Sequence, residues 1–122
     1  MIWNRDKNTV LADRDFYAMD FLNRFRGLVG RKFDTFDAMV FPRCSAIHTF
    51  FMGMKIDVLF LDPEGKVLGA YPAVPPWKFC VMERGASVTV ELPEGTIFLS
   101  GTKKGDFILL KNPQQMLYYP EK

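Results

Sequence analysis

Ile56-Asp57-Val58-Leu59-Phe60-Leu61, then Asp62-Pro63-Glu64-Gly65, then Lys66-Val67-Leu68-Gly69-Ala70-Tyr71 is the stretch that decides the fold. The first six residues are apolar except Asp57. A run that short and that continuous predicts a central strand with both faces covered. The next four predict a tight turn, because proline presets φ at the second position and glycine tolerates positive φ. The last six return as the antiparallel partner of a hairpin. Asp57 breaks the pattern, since a carboxylate inside a covered strand is costly to desolvate unless it is hydrogen-bonded.

Outward from this hairpin the β pattern continues. Ala38-Met39-Val40-Phe41 is a short apolar run stopped by Pro42, residues 47–51 form another, and Gly53 marks a bulge or close backbone approach. Thr9-Val10-Leu11-Ala12 reads as a strand paired with residues 1–4 across a polar turn. Pro72-Ala73-Val74-Pro75-Pro76 reads as a loop, since prolines cannot donate a regular ladder. Residues 77–82, Ser87-Val88-Thr89-Val90-Glu91-Leu92 and Phe107-Ile108-Leu109-Leu110 read as further strands, with a helical turn opened by Pro93. One longer helix is expected early. Asp13 sits at its N-cap position, Ala18, Phe21, Leu22, Phe25 and Leu28 make one apolar stripe, and Gly27 and Gly30 close it. The expectation is an α+β protein, mostly β: a curled sheet or barrel of about seven to nine short strands with one early helix packed on it.

Composition bounds the function. The 122 residues suit a single globular domain and can bury a core without metal or disulfide staples. Sixteen Lys and Arg against fourteen Asp and Glu leave +2, too little for a nucleic-acid stripe or a polybasic membrane anchor. No apolar run approaches the roughly 18 residues that span a bilayer, and the start lacks a signal peptide. A soluble, cytoplasmic protein is expected, with Cys44 and Cys80 as two buried free thiols. Twelve Phe, seven Met, four Tyr and two Trp predict an aromatic-rich core.

The chain resembles the domain of unknown function 192 family from about Val10 to Leu110. The resemblance is carried, in order, by Arg26-Gly27-Leu28-Val29-Gly30-Arg31, Ala38-Met39-Val40-Phe41, residues 44–52, Ile56-Asp57-Val58-Leu59-Phe60-Leu61-Asp62 with Gly65, Glu91-Leu92-Pro93-Glu94-Gly95-Thr96 and Gly105-Asp106. It implies a β-rich single-domain fold and lends no reaction. Where much of the family has Phe-Trp-Met-Lys-Asn-Thr, this chain has His48-Thr49-Phe50-Phe51-Met52-Gly53-Met54.

Two function classes follow. In the first, the protein is a non-catalytic binding or accessory module for a small molecule or a protein, with Arg26, Arg31, Met52 and Trp77 as candidate binding residues. In the second, it is a small enzyme with a polar site around His48, Asp57 and Cys44. There His48, the one histidine, would draw the thiol proton of Cys44, and Asp57 would act as general acid or base. Each residue also has a structural reading. His48, about 13 Å from Cys44 in an extended strand, can be a half-buried histidine satisfied by backbone or by a carboxylate such as Asp57. Asp57 can be a carboxylate held by backbone N–H groups or by Arg26 and Arg31. Zinc needs four ligands, and only three Cys and His exist, so no metal site is expected. No cofactor loop of the GxGxxG or Walker type occurs, and no cofactor is expected.

Overall fold

The computed structural model describes residues 1–18, 33, 36–49, 53–78 and 80–110. Strand Ile56–Leu61 is buried at all six positions. Its covered faces follow from its place among eleven elements: β1 (Ile2–Asn4), β2 (Thr9–Ala12), β3 (Asp15–Tyr17), β4 (Ala38–Pro42), β5 (Ala46–Ile47), β6 (Ile56–Leu61), β7 (Val67–Val74), β8 (Val81–Met82), β9 (Val88–Pro93), α1 (Thr96–Ser100) and β10 (Ile108–Leu110). β6 lies between β9 and β7 in a five-stranded sheet of order β3-β4-β9-β6-β7. A three-stranded sheet, β10-β1-β2, and a two-stranded ribbon, β5-β8, complete the described strands. The sheets curl but do not close into a barrel. The hairpin β6–β7 and the pairing of β1 with β2 are both as the sequence indicated.

Strand alternation divides the core in two. Leu59, Leu61, Val88, Val90 and Leu92 project to one side, where Ile2, Leu11, Ile97, Ile108 and Leu110 pack on them. Ile56, Val58, Phe60, Met39 and Phe41 project to the other, against Phe16, Phe33, Phe36, Cys44, Ile47 and Val81. Asp57 shares the first side by its odd position. Glu91 shares the second, paired laterally with Met39 and Val58.

Three expectations change. Residues 15–17 are not the first helical turn but a strand parallel to β4. The Asp13 and Arg14 N–H groups are held by the Asp37 carboxylate at 3.1 and 2.8 Å, and Ala18 N–H donates to Val40 O at 2.8 Å, so the backbone is committed to the sheet. The rest of the expected helix, including Phe21, Leu22, Phe25 and Leu28, lies outside the described residues. Pro72 is inside β7, which runs to Val74, because β7 is an edge strand and proline's missing donor faces away from the ladder. Among the described residues of the segment 77–82, β8 occupies Val81–Met82 alone. Among the described residues no helix is long and apolar enough to cross a membrane.

Candidate functional site

Asp57 is fully buried and fully used. Its Oδ1 accepts the Ala73 N–H at 2.9 Å, and its Oδ2 accepts Ile97 N–H at 2.8 Å and Gly95 N–H at 3.2 Å. The Gly95–Ile97 turn opens α1, whose N-cap is a glycine with no side chain to offer. A carboxylate from the neighbouring sheet therefore satisfies N–H groups that a short helix leaves orphaned. Ala73 takes a positive φ of 51°, which breaks the β7 ladder at the residue whose N–H bonds Asp57. These contacts are the backbone alternative for Asp57. Arg26 and Arg31 lie outside the described residues.

Cys44 is on the other side of the sheet, packed against the cluster of Phe41, Val58 and Phe60. Its thiol donates to Ala46 O at 3.1 Å. The five-stranded sheet therefore stands between the Cys44 thiol and the Asp57 carboxylate, and the three-residue polar site does not assemble. His48 is exposed beside the ribbon and not half-buried as expected, while the Asp57 carboxylate is taken up by backbone N–H groups. Along the ribbon the alternation is regular: Ala46, His48, Cys80 and Met82 are outward, while Ile47 and Val81 pack inward. Both cysteines are free thiols, but neither is buried as expected: Cys44 is half-buried and Cys80, on the outward side of the ribbon, is exposed. Among the described residues no three of His, Cys, Asp and Glu form a metal-ligand group.

Trp77 is the sequence candidate that the fold presents to solvent. It is 61% exposed although it is large and apolar, and its φ is 68°. A left-handed non-glycine residue costs about 1–3 kcal/mol and persists only when its surroundings over-determine it. Thr49, fully buried, supplies that constraint. Its N–H donates to Lys78 O at 3.0 Å and its carbonyl accepts the Trp77 N–H at 2.8 Å. Its hydroxyl donates to Pro75 O at 2.8 Å and accepts the Lys78 N–H at 2.7 Å. Four hydrogen bonds from one threonine thus tie down Pro75, Trp77 and Lys78. In the sequence Thr49 stands only within the stretch that departs from the family pattern. Met52, the remaining binding candidate, lies outside the described residues.

Two further features carry no sequence signal of their own. Glu91 is 2% exposed with Oε1 unpartnered among the described residues, and burial pushes its carboxyl up to about 8. A groove of about 490 Å³ runs along β7, with Tyr71 and Glu83 on one wall and Ile97, Thr102, Lys103 and Lys104 on the other. The Tyr71 hydroxyl donates to Glu83, and this bond, then burial and the Glu83 charge, raises the Tyr71 pKa above its usual 10.0.

The comparisons agree with this geometry. The model of the domain of unknown function 192 family, described as an uncharacterized ACR, matches residues 4–110. A UPF0127 protein of Thermococcus sibiricus is 38% identical over 114 residues, covering 88% of this chain and 73% of that one. A UPF0127 protein of Pyrococcus furiosus is 36% identical over 94 residues, covering 74% and 80%. In fold, the chain is similar to a protein of unknown function from Novosphingobium aromaticivorans (TM-score 0.68, 18% identity, 79% and 74% covered). It is also similar to a putative transcription regulator from Sinorhizobium meliloti (TM-score 0.69, 22% identity, 78% and 79% covered). The chain, built on curled sheets with Asp57 at their centre, belongs to the uncharacterised domain of unknown function 192 family.

Proposed function

We propose that this chain is a single-domain, non-catalytic binding module of the cytoplasm whose recognition surface is the outer face of the β5–β8 ribbon, centred on Trp77. The observation that carries the reading is the exposed indole held on left-handed backbone by the buried Thr49. Tryptophan is the side chain most enriched among binding hot spots, and a strained, over-determined backbone pre-pays the ordering that recognition needs. The ligand class that fits is a planar or apolar group able to stack on the indole. Against the enzyme reading stand the occupied Asp57 carboxylate and the sheet that separates it from Cys44. Two free thiols accord with a reducing compartment.

Two tryptophans make the test direct. In a Trp3→Phe background the emission of Trp77 alone is followed while nucleosides, aromatic peptides and apolar peptides are added. Saturable quenching or a blue shift by one class, lost in Thr49→Val where the loop loosens, supports the reading. A turnover of any substrate that His48→Ala or Cys44→Ala abolishes overturns it, as does an emission indifferent to every class.

A further inference from the structure

The edge of the five-stranded sheet ends in an unfinished ladder. β7 is the terminal strand among the described residues, which cover only its beginning. Val67 N–H donates to Asp106 O at 2.8 Å, and its carbonyl accepts the Gly105 N–H at 2.9 Å. The chain then turns away at Lys103 and Lys104. Further along β7, Tyr71 pairs with Val58 and Ala70 stands opposite Leu59, after a bulge beside Phe60. Because outward groups alternate, and Val67 before the bulge already faces out, Ala70 is the next residue whose N–H and C=O point away from β6. Pro72, two residues on, has only a carbonyl to present, the arrangement proline requires on an edge. Among the described residues nothing bonds the Ala70 N–H or C=O. These groups lie on the floor of the 490 Å³ groove.

The geometry points to strand addition: we infer that an extended acidic peptide segment of a partner protein docks along residues 68–72, continuing the ladder that Gly105 and Asp106 begin. An added strand would take two hydrogen bonds at Ala70 and a third at the Pro72 carbonyl. Such main-chain bonds give affinity, and pockets for alternate side chains give selectivity. Here one wall is apolar at Ile97 and cationic at Lys103 and Lys104, neither of which pairs with Glu83 or any other carboxylate among the described residues. That wall favours an apolar residue and, two positions further on the same face of the strand, an acidic one. The site is separate from the Trp77 surface, and either reading can fail alone.

The probe is acetyl-Val-Thr-Val-Thr-Glu-amide, whose valines and glutamate share the face toward Ile97, Lys103 and Lys104, added to the full chain and followed by amide NMR and hydrogen exchange. The expected result is a shifted Ala70 amide whose exchange slows, with the Trp77 indole unmoved. N-methylation of the central valine should weaken binding about threefold to tenfold, the loss of one main-chain bond. The double change Lys103→Glu with Lys104→Glu should transfer the preference to acetyl-Val-Thr-Val-Thr-Lys-amide. Unchanged Ala70 exchange at saturating peptide, or equal binding of the N-methylated peptide, overturns strand addition. Concentration-dependent protection of Ala70 without peptide overturns the partner peptide in favour of a second copy of the chain.

Discussion

Replacing Asp57 removes one side chain and strands three backbone donors. In Asp57→Ala the N–H groups of Ala73, Gly95 and Ile97 lose acceptors now at 2.9, 3.2 and 2.8 Å, in a site the carboxylate fills with no exposure. A hydrogen bond to a charged group contributes about 1.5–3 kcal/mol, and the three share one acceptor, so their losses do not add in full. The expected cost is about 3–5 kcal/mol, a large part of the roughly 5–15 kcal/mol that holds a domain of this size. Asp57→Asn is the finer probe. Its carbonyl can keep Gly95 and Ile97, but its NH₂ then faces the Ala73 N–H, donor against donor, at a cost of about 1–3 kcal/mol. Urea unfolding measures both variants. Amide exchange then locates the damage, which should fall first on Ala73 and Ile97, the two ends of the bridge. An alanine variant that loses less than about 1 kcal/mol would refute the structural assignment. So would an asparagine variant as stable as the parent, the behaviour expected of a catalytic acid in an open pocket.

Glu91 gives the pH prediction. Burial holds its carboxyl protonated in the folded state up to about 8, whereas the unfolded chain loses that proton near 4.5. The folded state therefore binds the extra proton between these values, and this contribution to stability is full below 4.5 and lost as pH rises toward 8. Urea midpoints should fall between pH 5 and pH 8.5 in the parent and stay level in Glu91→Gln; parallel curves would show that Glu91 is not the group responsible. At Asp106, burial raises the carboxyl but is outweighed by hydrogen bonds from Asn4, Lys7 and the Lys103 N–H, which hold it below the usual range. Its contribution is present above the unfolded value and lost as pH falls through the folded one, so Asp106→Asn should flatten the acid limb of the same titration. Thr49→Val keeps the shape but deletes the hydroxyl bonds to Pro75 and Lys78, at a cost of about 1–2 kcal/mol with a shift in Trp77 emission; unchanged emission would free Trp77 from dependence on Thr49. Gly69→Ala would put a methyl group against the Glu83 carboxylate and the Tyr71 ring, displacing Glu83, so the Tyr71 pKa should drop back toward 10.0 in an absorbance titration.

The β6–β7 hairpin could be read directly, because a continuous apolar run, a Pro-Gly turn and a return strand are local signals that the tertiary structure had no reason to override. The same run showed that both faces of β6 would be covered, and the isolated acid within it showed that Asp57 must be satisfied. What satisfies it was not local. The Ala73, Gly95 and Ile97 N–H groups lie 16, 38 and 40 residues away and meet only because β6 lies between β7 and β9. Residues 15–17 misled for the same reason: an N-cap aspartate favours a helix locally, but ladder bonds to β4 give that backbone partners 23 residues distant. Trp77 was visible as a bindable aromatic, yet its exposure depends on Thr49, whose four hydrogen bonds reach across 26 to 29 residues. Periodicity and turn chemistry act between neighbours, so sequence alone determined the central hairpin and the burial of both faces of β6. Sheet order acts between segments distant in the chain, so the tertiary structure alone decided which polar groups meet, which sheet edge stays open and which aromatic ring faces solvent.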